Sequence, residues 1–445
     1  MGLRHQIRTL VLNYLWLSVL IVATPWLLYR MLVQGKNRRG WKQKLFGLVP
    51  IPPVNSRGKR IWLHAVSVGE VHVLQTLVGQ LESRNADLQL FISTSTETGF
   101  DRAREIFGEQ RVFFFPFDFS WAIRNVIQRI RPDLLVLAEL ELWPNLIHIA
   151  AQQGLPLLVA NGRLSENSHR NYRRFGLLMR PMFQSLTQVA AQDETYAKRF
   201  VVLGCDSQSV TTSGNLKYDA IETDRGNAKT TACREVAANA GLNLEAPIFV
   251  AGSTQIEDER AAVEAWVSLR DEHPELQLIL VPRHPSRVAE TIELLKEHQL
   301  TANRRSLPET RHETPILIVD VIGELSGWWG MADIAFVGGS MGSRGGQNMI
   351  EPAAFGVPVC FGPNTANFKS TVDGLLSADA ARVVEDASEL SAFVSQMLKG
   401  RDQAEAIGSR ARAFVLQHQG AGEQTVDLIL EMLSGANRQR SKQAA

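Results

Sequence analysis

The chain has 445 residues, 45% of them hydrophobic. That is too long for one ordinary core and too apolar for a disordered chain, so two domains of roughly 150–200 residues each are expected. The formal net charge of +1 gives no reason to expect nucleic acid as a partner, but the charge is unevenly placed: the first 69 residues hold eleven Lys or Arg and no acid, leaving 36 basic against 46 acidic residues downstream. Three widely separated cysteines, Cys205, Cys233 and Cys360, form no C-x-x-C pair and no disulfide framework, which fits a reducing cytosolic compartment.

Residues 9–29, TLVLNYLWLSVLIVATPWLLY, carry no charge and lie between Arg4 and Arg8 on one side and Arg30, Lys36, Arg38, Arg39, Lys42 and Lys44 on the other. The segment is long enough to span a bilayer, its Tyr and Trp residues suit interfacial depths, and the heavier positive charge after it places the downstream domains in the cytoplasm. A cleaved signal peptide would have a shorter apolar core, and a helix lying in the interface, bent at Pro25, is a further reading. Residues 1–45 are thus expected to be a membrane anchor, single-pass or peripheral, with a basic collar at an anionic inner-membrane surface.

After a Pro-rich linker, PIPPVNSRGKR, short apolar runs alternate with helical stretches: IWLHAV (61–66), LQLFIST (88–94), VFFFPF (112–117), LLVLAE (134–139), PLLVAN (156–161), TQVAAQ (187–192) and SVTTSGN (209–215). This rhythm predicts a parallel sheet covered on both faces. The first acid of the chain, Glu70, sits in SVGE, between IWLHAV and VHVLQTLVGQL, whose Val73, Leu74, Leu77, Val78 and Leu81 fall at helical spacing. Glu70 is therefore either a charge favoured by the helix dipole or a catalytic base at the carboxyl end of a strand. Further on, LAELELWPNLI places Glu139 and Glu141 on one side if the strand persists through both, and otherwise as a helix N-terminal cluster. Arg170, Arg173 and Arg174 share a helical face, open to an anionic acceptor or simply solvated, and Lys217 closes the first half in GNLKYD.

A polar stretch, 223–245, precedes a second set of runs: PIFVAGS (247–253), LQLILVPRH (276–284), PILIVD (315–320), DIAFVGGS (333–340), VPVCFGP (357–363) and ARVVED (381–386). Two doubly wound α/β domains in tandem are predicted, 46–222 and 223–445, facing a cleft. No P-loop, dinucleotide-binding glycine motif, D-x-D triplet or HExxH pair is present, and the histidines stand singly. The loop GGSMGSRGGQNMIEP reads as a phosphate cradle running into a helix that begins near Gln347-Asn348, with Glu351 placed to bond ribose hydroxyls. Arg283 after a strand, the turn Gly323-Glu324-Leu325 and the helix start at Gly252-Ser253-Thr254 complete a nucleotide-phosphate pocket.

Taken in order, SVGE, TSTETGF, AELELWPNLI, NGRLS, GNLKYD, LVPRHP and GGSMGSRGGQNMIEPAAFGVPV resemble the membrane-anchored Kdo (3-deoxy-D-manno-octulosonic acid) transferases of Gram-negative bacteria. The resemblance implies an α/β GT-B fold, with the lipid A precursor bound by the N-terminal domain, CMP-Kdo by the C-terminal domain, and no metal or other cofactor. It places the catalytic base on Glu70, assisting positions on Glu139, with Glu141 as the rival, and on Lys217. CMP contacts fall on Pro282, Arg283, Gly323, Glu324, Leu325, Asn348, Met349, Ile350 and Glu351. The alternative within this fold is a membrane-associated enzyme using a nucleotide-diphosphate sugar and a lipid acceptor; outside enzymes, it is a binding scaffold for anionic lipid that has lost catalysis.

Overall fold

In the computed structural model, which describes residues 3–35, 38–50, 58–309 and 312–443, all thirteen of these apolar runs form parallel strands. Most of the Pro-rich linker, and Lys36 of the collar, lie outside the described residues. The first seven strands are β1 (Arg60–Ala65), β2 (Gln89–Thr94), β3 (Val112–Phe114), β4 (Leu134–Ala138), β5 (Leu157–Gly162), β6 (Gln188–Ala191) and β7 (Val210–Thr212), in sheet order β3-β2-β1-β4-β5-β6-β7. The second set is β8 (Ile248–Thr254), β9 (Gln277–Pro282), β10 (Asn303–Arg304), β11 (Ile316–Ile318), β12 (Ile334–Val337), β13 (Val359–Phe361) and β14 (Ala381–Val383), in order β10-β11-β9-β8-β12-β13-β14. Strands covered on both faces cannot alternate polar and apolar residues, and all five residues of β4 and all seven of β8 are buried. The short β10 carries no apolar run and had no signature in the sequence.

The chain divides into two compact units, one running to Ala220 and resuming at Gln419, the other spanning Ile221–His418. The C-terminal segment, placed by sequence in the second domain, therefore returns to the first. The reason is the apolar stripe Val426, Ile429 and Leu433 of the helix Ala421–Gln443, which shares a core with Leu74, Leu77 and Leu81 of the helix Val68–Arg84. Burying three such side chains contributes roughly 1.5–3 kcal/mol each. Polar contacts fix the approach: Arg84 pairs with Glu423 and Asp427, and the Asp219 carboxylate accepts from the backbone N–H of Gly420 and Gly422.

The strand order reverses direction between β1 and β4 in the first unit and between β8 and β12 at the centre of the second. The carboxyl ends of those strands are where an open α/β sheet leaves a crevice. Three non-glycine residues with left-handed backbone lie at strand ends: Glu139 (φ 56°) follows β4, while Asn161 (φ 58°) and Ser253 (φ 56°) are the penultimate residues of β5 and β8. Such conformations persist only where the surroundings impose them, and they gather at functional sites.

Candidate active site

Glu70 lies in the first turn of the helix Val68–Arg84, directly beyond β1. Its carboxylate turns back on its own loop: one oxygen accepts the Val66 N–H at 2.8 Å and the other accepts the Ser67 hydroxyl at 2.8 Å. The residue thus performs the capping role open to any helix-start acid. Burial nevertheless raises its pKa above the ordinary carboxylate value, and the charge of Glu139 adds to the rise, against the lowering effect of its hydrogen bonds. A carboxylate held at both oxygens and raised in pKa has the properties that a positioned general base requires.

Strand β4 stops at Ala138, so the extended conformation that would align Glu139 with Glu141 does not persist. Left-handed backbone at Glu139 takes its place, with the Glu139 N–H still bonded to the Ala160 carbonyl at 2.9 Å. Both side chains still converge on Glu70. Glu139 pairs with Lys217 at 3.2 Å, while Glu141 is pushed up to about 7 by burial and by the charges of Glu70 and Glu139, the Trp143 indole drawing it partly back. Three carboxylates and one ammonium form a single cluster in the first unit, in which Glu141 is the group that holds a proton near neutrality.

Two further groups complete this wall. Asn161 accepts the Leu216 N–H at 3.0 Å and so fixes the short helix Leu216–Asp219 that carries Lys217. Thr94 and Ser95, at the end of β2 beside the Glu70 loop, keep buried hydroxyls without a protein partner among the described residues. These residues were missed in the sequence as individuals, although Thr94 and Ser95 belong to TSTETGF and Asn161 to NGRLS. By contrast His64 is structural: buried, stacked on Phe115 at 3.9 Å and bonded to Ser93, it is held neutral by a pKa near 3. Arg170 pairs with Glu166, and Arg173 and Arg174 are exposed, on the helix Glu166–Arg174.

In the second unit, Glu351 sits in the first turn of a short helix, Ile350–Ala354, that begins later than the sequence suggested. The delay comes from Asn348, whose side chain accepts the Ile350 N–H at 3.1 Å and donates to Glu351 at 3.0 Å, capping the helix from outside. Burial raises the Glu351 pKa, and Asn348, Lys229 and Arg283 oppose the rise. Those two cations therefore stand close enough to act on one carboxylate; Arg283 itself is exposed, just past the buried Pro282. Met349 and Ile350 are buried, and the Ile350 N–H is already taken by Asn348, so neither of these two expected contacts presents an open surface.

Two of the expected contacts are arranged differently. Glu324 forks onto Arg305 at 2.9 and 3.1 Å, with Gly323 at φ 93° making the turn and Leu325 opening the helix Leu325–Met331. The start of the glycine-rich loop is not an open anion cradle. Asp258, fully buried, accepts the N–H groups of Gly339, Ser340 and Met341 at 2.6–3.1 Å and that of Gln255 at 2.8 Å, so the protein's own carboxylate fills that nest. The Thr254 hydroxyl is likewise spent on Glu259. What stays open is the far side of the loop, a groove of about 340 Å³ lined by Ser343, Gly345, Thr365 and Lys369.

Residues 39–220 match the family model described as 3-deoxy-D-manno-octulosonic-acid transferase (kdotransferase). The 3-deoxy-D-manno-octulosonic acid transferase of Haemophilus influenzae is 32% identical over 94% of this chain and 98% of its own length. Among solved structures, the UDP-GlcNAc 2-epimerase of Neisseria meningitidis bound to UDP-GlcNAc superposes with a TM-score of 0.59 at 13% identity, covering 84% of this chain and 100% of that chain. A glycosyltransferase from Rickettsia africae does so with a TM-score of 0.55 at 14% identity, over 85% of this chain and 99% of that chain. At such identities the likeness is one of fold alone, and the fold is GT-B.

Proposed function

The chain belongs to the 3-deoxy-D-manno-octulosonic-acid transferase family, and from that premise we propose that it moves Kdo from CMP-Kdo to the lipid A precursor lipid IVA by direct, inverting displacement, with Glu70 as base. The observation that carries the base assignment is the locked Glu70 carboxylate at the end of β1, raised in pKa beside the Glu139–Lys217 pair. An acceptor hydroxyl gives its proton to Glu70 as its oxygen attacks the anomeric carbon; the bond from that carbon to the phosphate oxygen breaks, and CMP leaves. Lys217 pairs with Glu139, the carboxylate whose charge helps to raise the Glu70 pKa.

A CMP-sugar carries one phosphate already on the anomeric carbon, so its leaving group asks for a cation or two rather than a metal clamped by D-x-D. Arg283 and Lys229 are the cations at hand, and Glu351 and Asn348 are placed to take ribose hydroxyls. The enzyme acts at the cytoplasmic face of the inner membrane, held by its apolar N-terminal helix. Glu70→Gln is the test, because it keeps one acceptor oxygen for the helix cap and removes the base. Transfer falls by at least about 10³-fold while CMP affinity and thermal midpoint stay near wild type; wild-type turnover would remove Glu70 from the chemistry.

A further inference from the structure

The N-terminal helix, Leu3–Leu32, does not stand away from the first unit. Its less exposed residues, Thr9, Leu12, Asn13, Trp16, Leu20, Ala23, Leu27, Arg30 and Met31, recur at helical spacing and so form one narrow stripe along the helix. Polar contacts seat that stripe. Asn13 exchanges two hydrogen bonds with Ser120, donating to its hydroxyl at 2.9 Å and accepting its N–H at 3.0 Å, and it also accepts from the Asn145 amide at 3.3 Å. The Trp16 indole donates to Asp118 at 3.2 Å and lies 6.0 Å from the Trp143 ring. Asp118 in turn caps the helix Pro144–Gln152 by accepting the N–H groups of Asn145 and Leu146. Farther along, Leu27 walls a cavity of about 220 Å³ together with Trp41, Lys44, Ser95 and Trp143.

From these contacts we infer that the helix is an interfacial one, lying in the plane of a lipid bilayer with its docked stripe on the protein and its opposite face in the lipid, and that it does not cross the membrane. The inference rests on the proposed membrane attachment of the enzyme. The stripe from Thr9 to Leu27 runs about 27 Å along the protein surface, at 1.5 Å per residue. A helix crossing a hydrocarbon core about 30 Å thick would have to carry that surface with it, Asp118 included. The opposite face, by contrast, is built for lipid: Val11, Leu15, Val22, Trp26, Tyr29 and Leu32 are each more than half exposed. Apolar exposure continues at Trp121, the neighbour of Ser120, and at Phe46 and Leu48. Exposed Lys42 lies nearby in sequence, and the absence of any acid before Glu70 suits anionic headgroups. The consequence is positional: the joint ends on Trp143, beside Glu141, so the carboxylate cluster is held at the depth of a lipid headgroup.

The test is sidedness in the full-length protein expressed in a Gram-negative host. The three native cysteines are buried, so a single added cysteine reports alone. A membrane-impermeant maleimide is applied to intact spheroplasts and to inverted inner-membrane vesicles carrying either Leu3→Cys, at the helix start, or Lys198→Cys, an exposed marker on the first unit. The expected result is that both cysteines label in inverted vesicles and neither labels in spheroplasts. Labelling of Leu3→Cys from the spheroplast exterior, with Lys198→Cys still protected, would make the helix a true span and overturn the inference while leaving membrane anchorage intact. Recovery of the protein in the soluble fraction would overturn both.

Discussion

At the scale of single residues, the site is a problem in shared protons. Glu141, raised from 4.5 to about 7, is neutral in both the folded and the unfolded chain at low pH. Between about pH 4.5 and 7 the unfolded chain gives up this proton while the folded protein, with Glu70 and Glu139 beside the group, keeps it, so the stability present at low pH is lost across that window and stays lost above it. Glu141→Gln removes that loss. The thermal midpoint of the variant, compared with wild type at pH 5 and pH 8, gains on wild type by about 2–4 °C at the higher pH, the shift that about 1 kcal/mol produces in a unit of this size. A difference independent of pH would mean that Glu141 titrates normally. Arg283 is the complementary case: its side chain is exposed, and substitution there is expected to change stability little. Arg283→Ala weakens CMP about 10–100-fold by calorimetry, as expected for a lost charge-assisted hydrogen bond, without moving the thermal midpoint; equal losses for CMP and lipid acceptor would give Arg283 a scaffolding role.

At the scale of elements, strands were legible and loops were not, for a physical reason. A strand buried on both faces must be written as an unbroken apolar run, which is why LLVLA and IFVAGST announce β4 and β8. The two residues of β10 need no such run. Loop function depends on which distant group fills it. The glycines after β12 look like an anion nest, and they are one, but Asp258, some eighty residues earlier, is the anion. Nor does a sequence print backbone handedness, so the left-handed Glu139 that turns the chain toward Glu70 was invisible, while the charges that converge there were not. Asp258→Ala leaves four N–H groups without this acceptor, those of Gly339 and Ser340 buried, and costs about 3 kcal/mol, lowering the midpoint of the second unit by about 6–12 °C in calorimetry. A neutral effect would mean that solvent or another group serves the loop equally well.

At the scale of the whole molecule, the uneven charge and the tandem sheets were both readable, and they divide the work. An acid-free, apolar and basic N-terminus suits a membrane surface; the first carboxylate beyond it, Glu70, belongs to the carboxylate cluster of the first unit. The return of the C-terminal helix to the first unit was not readable, because an apolar stripe says that a helix packs but not on what. The number of sugars added likewise has no motif. One experiment addresses donor, acceptor and metal together: purified protein, CMP-Kdo and lipid IVA in excess chelator, with product masses read by mass spectrometry. The lipid should gain whole Kdo units and release one CMP for each. Unchanged lipid, a requirement for divalent metal, or transfer from a UDP-sugar in place of CMP-Kdo would contradict the proposed reaction.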